Sequence, residues 1–123
     1  MTTHDPDRIH DTLHRERSET VSLIDQLSAR LDAVIEATAD SSSDDEHDPE
    51  GSTLAVERGH LVAQLERSRV RLDELDAASI RVTAGTYGQC ENCGSPIAEA
   101  RLEALPAARL CIDCASRGSA RRW

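Results

Sequence analysis

The sequence predicts a mainly α-helical protein, with a long antiparallel two-helix coiled-coil hairpin followed by a small four-cysteine zinc-finger module. Three observations predict this fold class: two apolar stripes with heptad spacing, an acidic segment between them, and two closely spaced cysteine pairs. We expect the hairpin to occupy residues 1–84, with an acidic tip loop at about 40–52. The zinc finger and a short C-terminal tail are expected to occupy residues 85–123.

Two stripes of side chains, spaced by three and four residues, predict the long helices. Such spacing places side chains on one face of a helix, as in a coiled coil. The first stripe comprises Leu13, Thr20, Ile24, Leu27, Leu31, Val34 and Thr38, with Arg17 in the gap. The second comprises Leu54, Arg58, Leu61, Leu65, Ser68, Leu72, Leu75, Ser79 and Val82. We expect fraying where Arg, Ser or Thr interrupts the apolar seam, since two helices alone bury little apolar surface.

The segment between the stripes, from Asp40 to Gly51, is rich in Ser, Asp, Pro and Gly and has no periodicity, which indicates a loop. Ser52 and Thr53 are candidate N-caps of the second helix, and Gly85 is a candidate stop signal. A loop this short favours an antiparallel arrangement of the two helices.

Charge is unevenly distributed along the chain, whose formal net charge is -9. Residues 1–50 carry 14 Asp and Glu against 4 Arg, giving -10, whereas residues 51–123 carry 9 against 10, giving +1. The acidic segment would repel phosphate, which disfavours DNA as a direct partner. With Tyr87 and Trp123 as the only aromatic residues, stacking on nucleic-acid bases is also disfavoured.

No apolar stretch approaches the roughly 18 residues of a membrane-spanning helix. The N-terminus lacks the basic start and apolar run of a signal peptide. We therefore expect a cytoplasmic protein without membrane association. Cysteines are kept reduced in that compartment, so four of them in a cluster are expected to bind metal rather than to form disulfides.

The cysteines form two pairs, Cys90 with Cys93 and Cys111 with Cys114, separated by seventeen residues. Two residues between the members of a pair allow both thiolates of a tight turn to face one tetrahedral ion, so the spacing predicts one structural zinc ion. Gly94 suits the positive φ at which such a turn reverses.

Other chemistries fit less well. A redox dithiol requires only one pair, and a catalytic zinc requires an open ligand position. An iron–sulfur cluster on the same four cysteines stays open as an alternative. We predict that the protein is not an enzyme, because the sequence contains no phosphate-binding glycine loop, no Ser/His/Asp set and no carboxylate pair placed in a pocket.

Three segments around the cysteines carry a family resemblance: GTYGQCENCGSPI at residues 85–97, RLEALP at 101–106 and LCIDC at 110–114. Together they resemble the DksA/TraR zinc-finger family, in the glycines, the Arg-Leu-Glu-Ala segment and the proline as well as the cysteines. The preceding hairpin agrees with the family's layout. We expect Arg101 and Leu102, between the cysteine pairs, to pack or pair against the long helices.

The resemblance implies a bacterial transcription regulator that binds RNA polymerase directly, as a monomer, without sequence-specific DNA contacts. In this family a coiled-coil hairpin enters the secondary channel, and acidic residues at its tip lie near the catalytic magnesium. A carboxylate-rich tip suits a basic channel, since opposite potentials speed docking. The corresponding tip residues here are Asp44, Asp45, Glu46, Asp48 and Glu50.

Two departures from the family pattern affect the expected function. Members commonly carry Asp-x-x-Asp-x-Ala at the tip, whereas here Gly51 replaces the second Asp and no Ala follows two places on. Members that respond to the alarmone ppGpp carry basic residues where this chain has Leu105 and Ala115. We therefore expect ppGpp-independent action.

Two alternatives remain. The hairpin could be an adaptor or dimerisation arm for a partner other than polymerase, with Val56, Val62 and Val70 as a second apolar stripe. A DNA-binding zinc finger would depend on Arg117, Arg121 and Arg122, which the net charge of -9 disfavours.

Overall fold

The computed structural model describes residues 5–41 and 49–121. Its helices are α1 (Pro6–Ser41), α2 (Pro49–Ala84), α3 (Glu99–Ala104) and α4 (Ile112–Arg121). The two long helices, of 36 residues each, form a hairpin, and the four cysteines cluster in the segment that follows it. Within the described residues there is no extended strand, and a single β-bridge joins Gln89 and Pro96. The predicted fold class is confirmed.

Both long helices extend into the segment predicted as a loop. The first continues to Ser41 and the second begins at Pro49, a residue compatible with a first helical turn because it lacks the N–H that would go unpaired there. Ser52 and Thr53 therefore lie inside α2, and their prediction as N-caps is wrong. Residues 42–48 of the predicted loop lie outside the described residues.

The end of α2 follows the prediction at Gly85. This residue has a φ of 82°, and its N–H donates to the Val82 carbonyl at 3.2 Å. The Thr86 N–H donates to the Arg81 carbonyl at 2.9 Å. These two bonds form a Schellman motif, which satisfies carbonyls at the helix end and favours glycine at the left-handed position.

The chain divides into two compact units, to both of which α1 and α2 contribute. In the unit formed by Ser18–Leu72, the predicted seam supplies the core: Leu27, Val34, Leu61 and Leu65, with Ile24, Leu31 and Leu54 partly buried around them. Thr20 and Ser68 are also buried in this unit. An exposed ion pair between Arg30 and Glu57, at 2.8 Å, adds about 0–1 kcal/mol at most.

The other unit combines Met1–Arg17 with Asp73–Trp123. One core cluster contains Leu13, Leu75, Ala78 and Val82 of the long helices and Ala107 from the turn after α3, with Ile9 and Tyr87 packed against it. The seam departs from the prediction here, since Ala78 is fully buried and Ser79 only partly. Arg17 stays at the surface and pairs with Asp76 at 2.7 Å.

A substitution in the seam tests the packing of the hairpin. We expect Leu65→Ala to lower the free energy of unfolding by about 2–5 kcal/mol, because Leu65 is 2% exposed and its loss leaves a cavity. Val70→Ala is the matched control, since Val70 lies on the same helix and is 56% exposed. We expect it to change the same quantity by less than about 0.5 kcal/mol. Urea denaturation followed by circular dichroism measures both, and equal losses would contradict the packing.

Candidate metal centre

The first cysteine turn, residues 89–96, is a tight reversal held by its own backbone. The Cys90 N–H donates to the Ser95 carbonyl at 2.8 Å, and the Gly94 N–H donates to the Cys90 carbonyl at 2.9 Å. Gly94 has a φ of 78°, as the sequence predicted for this position. The reversal brings Cys90 and Cys93 to the same metal-ligand cluster.

The second cysteine turn, residues 111–114, forms the start of α4. Cys111 directly precedes the helix and Cys114 lies in its first turn. The Cys114 N–H donates to the Cys111 Sγ at 3.4 Å, and the Ala115 N–H donates to the Cys111 carbonyl at 2.9 Å. A helix N-terminus favours negative charge, so this position suits thiolates.

The four sulfur atoms lie within 4.8 Å of one another, and those of Cys93 and Cys111 are 3.9 Å apart. Zinc bonds of about 2.3 Å in a tetrahedron place sulfurs about 3.8 Å apart, so the cluster fits a zinc ion. A cluster of several irons requires more widely spaced sulfurs. Cys90 and Cys114 are buried, Cys111 is partly buried and Cys93 is exposed.

Local hydrogen bonds shift the thiol pKa values in different directions. The backbone amides of Cys93 and Cys111 lower the pKa of Cys90 to about 6, and Ser95 lowers the pKa of Cys93. The Cys114 amide acts in the same direction on Cys111, but burial and the other thiols outweigh it and raise the pKa of Cys111 to about 11. Crowded thiols cannot all ionise easily, whereas a divalent cation stabilises four thiolates together.

Two side chains that the sequence analysis did not assign to the site contact its sulfurs. The Asn92 Nδ2 donates to the Cys114 Sγ at 3.3 Å, and the Arg117 Nη2 lies 3.9 Å from the same sulfur. Asn92 could have been noticed as a short amide inside the first cysteine turn. Arg117 was considered only for DNA binding, whereas the structure places it beside the cysteines.

A small apolar cluster supports the site. It contains Cys90, Ile97, Leu102 and Cys114, with Tyr87, Ala108, Leu110 and Cys111 packed around them. The Arg101 Nε donates to the Leu110 carbonyl at 3.0 Å. Arg101 therefore has its partner inside the finger, and not on the long helices as predicted. Leu102 is buried beside the cysteines and also lines a cleft with Ile9 of α1.

Arg81 and Tyr87 connect the finger to the end of α2. The Arg81 side chain, 11% exposed, pairs with Glu91 at 3.5 Å and donates to the carbonyls of Ala107 and Ala108 at 3.4 and 3.5 Å. The Tyr87 hydroxyl donates to the Pro106 carbonyl at 2.8 Å. Burial raises the pKa of Tyr87, with the nearby Arg81 charge acting against it.

The part of the chain that the structure describes does not bring the predicted tip residues together. Asp44, Asp45, Glu46 and Asp48 lie outside the described residues, and Glu50 lies in the first turn of α2. Among the helices described, none is long and apolar enough to cross a membrane.

Comparison with known proteins identifies the family. The model of the prokaryotic dksA/traR C4-type zinc finger matches residues 85–117. The solved structure of transcription factor DksA2 from Pseudomonas aeruginosa matches with a TM-score of 0.63 and 30% identity, over 95% of this chain and 84% of that one. The chain belongs to the DksA/TraR zinc-finger family.

Curated relatives match in part. The RNA polymerase-binding transcription factor DksA of Caulobacter vibrioides is 42% identical over 52 residues, which are 42% of this chain and 37% of that protein. General stress protein 16O of Bacillus subtilis is 31% identical over 101 residues, which are 82% of this chain and 56% of that protein. The matches thus span less than two thirds of either relative.

Chelation tests what the metal contributes to this DksA/TraR finger. We expect EDTA to expose the amides of Cys90 and Ile97 to hydrogen exchange, because we expect so small an apolar cluster to need the free energy of metal binding in order to fold. The last turn of α2 should lose protection as well, since Arg81 and Tyr87 connect it to the finger. Amides around Leu65 serve as the internal control and should keep their protection.

Hydrogen exchange read by mass spectrometry measures these changes, and added zinc should reverse them. Unchanged protection of the finger after complete loss of zinc would contradict this expectation.

Proposed function

We propose that the protein is a non-enzymatic transcription regulator that binds RNA polymerase directly through the secondary channel. The observation that carries this proposal is the match to transcription factor DksA2, which covers 95% of this chain and so includes both the hairpin and the cysteine module. The name of the Caulobacter relative, an RNA polymerase-binding factor, supports the same partner. In this proposal the protein acts in the cytoplasm, as a monomer when bound, without sequence-specific DNA contacts.

We assign one structural zinc ion to the four cysteines at the base of the hairpin. Four thiolates complete a tetrahedral coordination shell and leave no position for a substrate, which supports a structural rather than a catalytic role. The ion would hold the two cysteine turns together, while the contacts of Arg81 and Tyr87 join the finger to α2.

The acidic tip, formed by Asp44, Asp45, Glu46, Asp48 and Glu50, would act by electrostatics near the polymerase active site. Between Asp40 and Glu50 the sequence holds six acidic residues and no Arg or Lys. This density supports attraction to a channel lined with basic groups and a fast docking rate. Gly51 in place of the family's second Asp suggests that bound protein affects initiation differently from other members.

We propose that ppGpp does not act through this protein. Leu105 is 45% exposed after α3, and Ala115 is partly buried in α4. Neither side chain carries the positive charge that phosphate binding requires.

The alternative, an adaptor or dimerisation arm, has one structural observation in its favour. Val56 and Val70 on α2 are 59% and 56% exposed, and Val62 is 38% exposed. These side chains are available to a partner helix. Size-exclusion chromatography with light scattering distinguishes the two functions by the molar mass of the protein in solution. A dimer that still forms after substitution of the tip residues supports the alternative.

Neutralising the tip tests the leading proposal. We expect Asp44→Asn, Asp45→Asn, Glu46→Gln and Asp48→Asn together to remove the effect of the protein in single-round transcription with purified polymerase and to slow its association. The matched control removes the same charge from exposed positions of α1, with Glu19→Gln, Asp25→Asn, Asp32→Asn and Glu36→Gln. Equal loss in both variants would indicate a general charge effect, and binding by neither wild type nor variants would remove polymerase as the partner.

Adding ppGpp to the same assay tests the second part of the proposal. We expect the transcription level with the protein to be the same at all ppGpp concentrations on a polymerase that lacks its own ppGpp response. The double substitution Leu105→Lys and Ala115→Lys introduces the missing charges and should create or increase a response. Synergy between ppGpp and the wild-type protein would contradict the proposal.

A further inference from the structure

We propose that Asn92 is a positioning residue of the metal centre, because its side-chain amide joins the first cysteine turn to Cys114 of the second. This inference depends on the zinc ion proposed above for the four cysteines. It concerns how firmly the ion is held, and it is independent of the polymerase.

The geometry of the contact is direct. Asn92 lies between Cys90 and Cys93, and its Nδ2 donates to the Cys114 Sγ at 3.3 Å. Cys114 is 1% exposed, so in the intact protein its sulfur takes its donors from protein groups. The contact therefore bridges two turns that are separated by seventeen residues in the sequence.

The donors to Cys90 and Cys111 are of a different kind, whereas Ser95 donates to the Cys93 sulfur from within the same turn. Cys90 receives the backbone amides of Cys93 and Cys111, and Cys111 receives the backbone N–H of Cys114. These backbone donors are fixed by the shape of the turns. At Cys114 the donors are two exposed side chains, Asn92 and Arg117, and the Arg117 Nη2 is farther away at 3.9 Å. Of the two, Asn92 has the shorter contact and is expected to contribute more.

Such a donor affects the metal in two ways. Four thiolates around a divalent ion carry excess negative charge, and an N–H directed at a sulfur stabilises that charge. The same bond fixes the position of the first cysteine pair relative to the second. Release of the ion therefore requires this bond to break. Groups that orient metal ligands commonly change metal affinity by about 10–100-fold when they are removed.

The test uses the full-length zinc-loaded protein and its variants Asn92→Ala and Asn92→Asp. The aspartate keeps the shape of the side chain but replaces the donor with a carboxylate that repels the thiolate. Gln89→Ala is the matched control, because Gln89 is an exposed amide of the same turn, directly before Cys90. Circular dichroism of the loaded proteins verifies that all are folded.

Two readouts are measured. The rate of zinc transfer to a chromogenic chelator should rise by about 10-fold in Asn92→Ala and by more in Asn92→Asp, and should stay at the wild-type value in Gln89→Ala. In the cobalt-substituted proteins, the sulfur-to-metal charge-transfer band should move to lower energy in Asn92→Ala, because a hydrogen bond stabilises the sulfur lone pairs. A merely looser structure would not produce that shift.

The outcomes separate this inference from the proposed function. A wild-type chain that retains no zinc overturns the metal centre on which the inference depends. One zinc ion per wild-type chain, with wild-type release and an unchanged cobalt band in both Asn92 variants, overturns the role of Asn92 alone. Faster release with an unchanged band, or equal effects in Gln89→Ala, also overturns it.

Discussion

Mutual repulsion among four closely spaced sulfurs is the constraint on which the finger depends. Sulfurs within 4.8 Å of one another disfavour each other's negative charge, and a cation among them reverses that effect. Backbone N–H donors lower the pKa of Cys90, whereas at Cys111 burial and the neighbouring thiols outweigh the Cys114 amide and raise the pKa. A zinc ion among the four sulfurs would stabilise this arrangement, and the surrounding apolar cluster could then remain small.

The hairpin folds with few apolar residues for a different reason. Leu, Ile and Val supply only 24 of the 123 residues and Phe is absent, a composition near that of disordered chains. Two paired helices require only one apolar stripe each, so most positions can be polar or charged. Leu27, Val34, Leu61 and Leu65 supply one cluster, and Leu13, Leu75, Ala78 and Val82 supply the helical part of another.

Local patterns predicted much of this structure, and long-range contacts account for what they missed. Heptad spacing identified Leu13, Leu27 and Leu65 as core residues, and cysteine spacing identified the metal ligands that the fold brings together. Heptad spacing also assigned Ser79 to the seam, but the smaller Ala78 occupies the buried position. Asn92 was missed because its partner is more than twenty residues away, and no local pattern encodes such a pairing.

Helix ends were predicted unevenly for a similar reason. Gly85 carries its own conformational signal, since a left-handed residue strongly favours glycine. The start of α2 has no such unique signal, and Pro49, Ser52 and Thr53 all suit a first turn. For this reason composition alone predicted that the loop ends at about residue 52, whereas α2 already begins at Pro49.

The contacts of Arg81 and Tyr87 bear on how the metal site assembles. Seventeen residues separate the cysteine pairs, and bringing the ends of such a segment together costs conformational entropy that grows with its length. When Ala107 and Ala108 are bound to Arg81 of α2, and Pro106 to Tyr87 just after it, only a few residues remain between the anchored chain and Cys111. With these contacts in place, a shorter segment would have to close when the two cysteine pairs meet.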